Sequence, residues 1–177
     1  MAEQFKRLDR KLVYHGHIVD FYEDTMQVPN GNVVKWDFIK HNGAAAVVPV
    51  LDDGRILMVK QYRNALDKEI WEIPAGGLNG QEPFIECSHR ELEEETGLVV
   101  QDIHLVGVYS RPGRDPRGHT VTPAFLSIMD YPLDVCGGDD AAQAQWFPLN
   151  QLPVLAFDHG EIISDAMRLF SQLEGYQ

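Results

Sequence analysis

The sequence predicts an α/β protein whose main sheet is preceded by a small antiparallel one, and three observations predict it. An apolar run at residues 44–51, the turn Asp52-Asp53-Gly54 and a partner run at residues 55–62 read as the hairpin of a central sheet. Ile162, Ile163, Ala166, Met167, Leu169, Phe170 and Leu173 recur at helical spacing within residues 160–174, so that segment is a packing helix, with Asp158 placed to cap it. A second helix covers most of residues 76–98. There Pro83 suits a first turn, Glu82 and Glu86 favour the positive N-terminal end, and Gly97 is a natural stop.

The remaining elements follow in order. Residues 11–14 and 18–28 read as strands, Pro29-Asn30-Gly31-Asn32 as a turn, and residues 33–41 as the returning strand. These residues, 1–41, hold little apolar material to enclose a core alone, so this arm is expected to lean on the main domain, residues 42–177, or on a second subunit. Beyond the segment at 76–98, strands are expected at 101–109, 119–129 and 143–147. The linking loops at 110–118 and 135–142 are rich in glycine with proline or aspartate.

Composition narrows the function. The chain has 177 residues, 44% of them hydrophobic, and no internal repeat, which fits an ordinary globular core. No apolar run approaches the roughly 18 residues of a membrane span, and the first residues lack a signal peptide's hydrophobic stretch, so a cytoplasmic location is expected. Cys87 and Cys136 have no metal-site spacing and are expected to be reduced. A net charge of -12 argues against a general nucleic-acid or membrane surface. An anionic small molecule would then need local help from cations and a few arginines.

That help is written into residues 76–98. Glu91, Glu94 and Glu95 stand at i, i+3 and i+4, so their carboxylates crowd one helix face, and no base lies among them. A hard divalent ion such as Mg2+ takes oxygen ligands and turns that repulsion into coordination. Arg90, a cation itself, suits holding a glutamate by a charge-assisted hydrogen bond, with Glu82 as candidate partner.

Gly76, Glu82, Arg90-Glu91-Leu92, Glu94-Glu95 and Gly97-Leu98 match the Nudix hydrolase box, G-x5-E-x7-R-E-U-x-E-E-x-G-U with U a bulky aliphatic, at every specified position. The chance of that match at one arbitrary start is on the order of one in a billion from average residue usage. With the element pattern, the resemblance implies an α/β/α sandwich with a mixed sheet, the box helix on one face and the C-terminal helix on the other. It also implies metal ligation by Glu91, Glu94, Glu95 and the backbone carbonyl of Ala75, with Mg2+ as the cofactor and Mn2+ as a possible substitute.

Further segments resemble the ADP-ribose pyrophosphatase subfamily. Gln61-Tyr62-Arg63 matches its Q-Y/F-R, which makes Arg63 a candidate phosphate ligand, and the residues from Glu72 to Gly76 match its E-x-P-A-G lead-in to the box. Gly76 and Gly77 let backbone approach a ligand closely. The segment containing Trp36 and Asp37 resembles a subfamily segment whose tryptophan stacks on adenine across a dimer interface, so both become candidate base-recognition residues of a homodimer. The loop at 110–118 carries Arg111, Arg114 and Arg117, an expected anion clamp, and Asp115 aligns with a position that contacts the terminal ribose in relatives. Its S-R-P-G departs from the commoner S-P-G. Asp139 and Asp140 are candidates for a general base in a late loop.

The implied activity is Mg2+-dependent cleavage of ADP-ribose to AMP and ribose 5-phosphate. A different nucleoside diphosphate sugar such as GDP-mannose, or a dinucleotide, is the alternative within the enzymes. A non-catalytic ADP-ribose sensor is the alternative outside them, and the intact box glutamates argue against it.

Overall fold

The computed structural model describes residues 4–16, 19–115, 120–130, 132–138 and 141–175. The chain divides into two units, Met1–Asn42 and Gly43–Gln177.

The first unit is an antiparallel sheet of three strands in sequence order: β1 Lys6–His15, β2 Asp20–Gln27 and β3 Val33–Lys40. Gly31 makes the β2–β3 turn at φ 84°, where a Cβ would be strained, and its N–H donates to the Val28 carbonyl at 2.9 Å. β1 begins at Lys6 rather than at residue 11, because ion pairing rather than burial holds it. Arg10 donates two 2.6 Å hydrogen bonds to Asp24 and lies 4.1 Å from the Phe38 ring centroid. Register places Arg10 and Trp36 opposite Asp24 and Phe38 opposite Tyr22, so these five share one face; Asp37, opposite Glu23, is on the other.

The second unit is a seven-stranded mixed sheet with a helix on each side. Its strands are β4 Ala44–Leu51, β5 Ile56–Arg63, β6 Lys68–Glu72, β7 Ala75–Gly77, β8 His104–Tyr109, β9 Thr122–Met129 and β10 Ala141–Phe147. The helices are α1 Phe84–Thr96 and α2 His159–Glu174. The main path runs β10-β5-β4-β9-β8, with β6 on β5 and β7 on β4; β4 and β9 are parallel, and the other pairs antiparallel.

Alternation along β4 and β5 makes the sandwich. Val48, Val50, Ile56 and Met58 pack with Ile162, Ile163, Ala166 and Phe170 of α2, whereas Val47 and Leu57 pack with Leu92 of α1 and Leu98. The α/β/α arrangement expected from the sequence is therefore present. The sequence reading lacks β6 and β7: a stretch with Pro74 and two glycines carries little strand signal, and its pairing comes from β5 and β4.

Both helix ends have physical causes. Gly97 closes α1 in the left-handed region at φ 76°, its N–H donating to the Glu93 carbonyl at 2.8 Å. Asp158 occupies the N-cap position of α2 but makes no side-chain cap, because its carboxylate is taken by Arg114 at 2.6 and 2.8 Å. A two-pronged charge-assisted pair outcompetes a neutral backbone donor.

His159, the first residue of α2, is 6% exposed, and its Nδ1 accepts the Ile73 N–H at 3.2 Å, tying the lead-in to α1 to the opposite helix. Burial pushes the imidazole down to about 4 from an ordinary 6.5. Between those values the unfolded chain binds a proton that the native protein refuses, so stability is complete above the unfolded value and falls as pH drops through the window, by about 3 kcal/mol in all. Urea titrations from pH 7 to pH 4 should show this loss, and His159→Gln, which keeps an acceptor, should flatten it. An unchanged slope in the variant would assign the loss to other groups.

Candidate active site

α1 presents its acids to the backbone of β7. The Glu91 carboxylate lies so close over Gly76 that a Cβ there would displace it, so glycine at this position lets the carboxylate rest on the backbone. Glu95, 2% exposed, accepts the Ala75 N–H at 3.1 Å on Oε2 and the Gln61 side-chain N–H on Oε1. Glu94 is at the rim, with its side chain 47% exposed. Ala75 and Gly77, paired to Ala46 and Ala44 of β4, are held by the sheet at the same place.

Arg90 is the hub. Its Nη2 donates to Glu82 at 2.6 Å and to the Gly77 carbonyl at 2.8 Å, and its Nη1 donates to Glu91 at 2.7 Å and to Glu94 at 2.8 Å. The Glu82 bond is the chief reason that the guanidinium pKa is raised, and the same bond holds Glu82 below the usual carboxylate range. Cys87 completes the floor, its Sγ 3.6 Å from the Gly76 and Gly77 carbonyls, and burial pushes this thiol up to about 12, so it stays protonated.

Among the described residues no three acidic, histidine or cysteine side chains are gathered into a ready-made cage. The reason is visible in the hydrogen bonds: Arg90 occupies Glu91 and Glu94, while Gln61 and the Ala75 amide hold Glu95. The donor set nonetheless fits a hard divalent ion. It consists of carboxylate and carbonyl oxygens, and the glycine at 76 leaves the Glu91 carboxylate lying directly on the backbone. Loading an ion would exchange contacts of Arg90 with Glu91 and Glu94 for coordination.

The other residues expected from sequence fall into groups. Arg63 donates to Glu72 at 2.7 and 2.5 Å, with Glu72 2% exposed. Arg111 reaches Glu161 of α2 at 3.1 Å. Arg114 is 9% exposed and, besides Asp158, donates to Thr122 at 3.0 Å; Asp115 is 6% exposed. The arginines of this loop thus meet acids at the start of α2, and Arg117 lies outside the described residues. Trp36 is 46% exposed on β3, its ring 5.9 Å from Phe5, and Asp37 faces away from it.

Asp139 and Asp140 lie outside the described residues. Gly138 donates its N–H to the Glu95 carbonyl at 3.1 Å, Cys136 donates to the Thr96 carbonyl at 3.3 Å, and Ala141 pairs with Gln61 of β5. Sequence reasoning assigned no role to Gln61, Glu72 or His159. For Gln61 a signal existed: an amide inside the apolar strand pattern at 55–62 needs a buried partner.

The NUDIX domain family matches residues 40–169. A Methanocaldococcus jannaschii protein named ADP-ribose pyrophosphatase is 44% identical over 131 residues, 71% of this chain and 73% of that protein. A Bacillus subtilis protein of the same name is 38% identical over 128 residues, 71% of this chain and 69% of its own. Among solved structures, one described as an ADP compounds hydrolase superposes with a TM-score of 0.66 at 17% identity, covering 99% of this chain and 97% of the other, which is a likeness of fold.

Proposed function

The chain belongs to the NUDIX family, and we propose that it hydrolyses the phosphoanhydride of ADP-ribose to AMP and ribose 5-phosphate. The convergence of Glu91, Glu95 and Arg90 on the Ala75–Gly77 backbone carries the reaction class. The names of the two relatives, at 44% and 38% identity, support the substrate.

Glu91, Glu94, Glu95 and the Ala75 carbonyl would hold Mg2+, or Mn2+ in its place. When bound, the cation supplies positive charge and Lewis acidity to the diphosphate. Arg90 holds Glu91 and Glu94 of α1 together with Glu82, which lies just before the helix. Gly77 leaves room for substrate beside the backbone. Arg63, Arg111 and Arg114 are the cations for phosphoryl oxygens, released in part from Glu72, Glu161 and Asp158, and Asp115 is a carboxylate for ribose hydroxyls. Asp139 or Asp140 takes the proton of the attacking water.

The arm, residues 1–41, serves dimerisation and base recognition. Half-exposed Trp36 supports a stacking surface, and its position opposite Asp24 rather than beside Asp37 favours Trp36 as the contact and Asp37 as a peripheral group. The working form is then a homodimer. We place it in the cytoplasm, in keeping with its free cysteines; among the described residues no helix is long and apolar enough to cross a membrane.

A panel of diphosphates assayed with Mg2+ tests the substrate. ADP-ribose should exceed GDP-mannose in kcat/KM by at least roughly tenfold, the discrimination worth about 1.4 kcal/mol. Comparable turnover of the two, or none of ADP-ribose, would replace this substrate with the broader class.

A further inference from the structure

Glu95 and its neighbours on α1 are held by different chemistry. Arg90 grips Glu91 and Glu94 with a positive charge, at 2.7 and 2.8 Å. Glu95 is gripped by two neutral amides, the Gln61 side chain on Oε1 and the Ala75 N–H on Oε2. Both Gln61, 1% exposed, and Glu95, 2% exposed, are buried, and Gln61 projects from the same face of β5 as Leu57, the face that meets α1.

An ionised carboxylate offers about two lone-pair directions on each oxygen. The two amides take one on each side and set the plane of the group without bringing a charge of their own. A guanidinium in the place of Gln61 would repel an arriving cation; an alkyl chain would leave Oε1 without this donor and the carboxylate able to rotate. The amide orientation follows from the same logic, since turning the Gln61 oxygen towards Glu95 would set two acceptors together.

The geometry points to Gln61 as a positioning residue for the metal site: it preorganises Glu95 for a divalent cation. This rests on the metal assignment made above for Glu91, Glu94 and Glu95. Outer partners of a ligating group typically change metal affinity by about 10- to 100-fold when removed.

The test uses the full metal-free chain and Mn2+ alone, with binding read by titration calorimetry and by the loss of the free-ion electron paramagnetic resonance signal. Gln61→Met keeps the length of the side chain and deletes the donor, and Gln61→Leu provides a second apolar variant should the first not fold. The expected result is a Kd for Mn2+ raised about 10- to 100-fold, beside a lower metal-free unfolding midpoint, since the buried Glu95 carboxylate loses a donor. A merely structural role would lower that midpoint and leave the Kd alone. Wild-type affinity in a folded variant overturns the role of Gln61 and leaves the metal site standing. Absence of Mn2+ binding by the wild type, up to millimolar concentration, overturns the metal assignment and this inference with it.

Discussion

Glu94→Gln is expected to lower turnover of ADP-ribose roughly a thousandfold while leaving the protein folded. Glu94 is bonded to Arg90 at 2.8 Å in an i, i+4 arrangement, with its side chain 47% exposed. An exposed pair of that kind is worth about 0.3–0.5 kcal/mol, so the fold should hardly register its loss. Turnover should, because replacing a charged oxygen ligand by a neutral amide removes several kcal/mol of charge stabilisation, and about 1.4 kcal/mol is a factor of ten. The helix supplies its own control. Glu93 is exposed like Glu94 but lies outside the box pattern, so Glu93→Gln should keep the wild-type rate. Measuring kcat at saturating Mg2+ beside a thermal melt separates the two. Equal rates for both variants would remove Glu94 from the metal set.

What the sequence could and could not express follows from the range of the forces. The helix over most of residues 76–98 and the i, i+3, i+4 placement of three glutamates along it are local facts, fixed by 3.6-residue spacing and by a glycine at 97, and they are present. The different fates of those glutamates are not local. Glu91 lies on Gly76, Glu95 is enclosed by Gln61 and the Ala75 amide, and Glu94 stays at the rim, because the sheet meets α1 from one side only. The same holds for the arginines. Arg63, Arg111 and Arg114 read alike as cations for a phosphate, yet their partners Glu72, Glu161 and Asp158 are 9, 50 and 44 residues away and meet them only through the fold. His159 had no neighbour in sequence to mark it, and its role in holding Ile73 appears only when α2 is packed on the sheet. β1 is longer than its sequence pattern suggests for the opposite reason: charged residues obscure a strand that ion pairs hold in solvent.

Arg90→Met is expected to destabilise the protein by about 3 kcal/mol at pH 7, and added Mg2+ should restore part of the loss. Arg90 joins Glu82, Glu91 and Glu94, and the side chains of Glu82 and Glu91 are only 15% and 10% exposed. Breaking a buried pair by removing one partner costs about 3–5 kcal/mol, and the lower end suits a guanidinium still in partial contact with water. For a domain of this size each kcal/mol moves the unfolding midpoint by about 2–4 °C, so a drop on the order of 10 °C is the quantity to look for. The pH dependence has a definite sign. Glu82 is held below its ordinary 4.5 chiefly by Arg90, so the stability that it contributes is present above that value and lost as pH falls through its native one. The gap between wild type and variant should therefore narrow in acid. Mg2+ acts on the same carboxylates by supplying the charge that methionine lacks, so the midpoint of Arg90→Met should rise more steeply with Mg2+ than that of the wild type, in which the guanidinium competes for Glu91 and Glu94. Arg90→Lys, a point charge that cannot fork between Glu82, Glu91 and the Gly77 carbonyl, should fall between the two. If Mg2+ shifts the wild type and Arg90→Met equally, the cation and Arg90 do not share these oxygens.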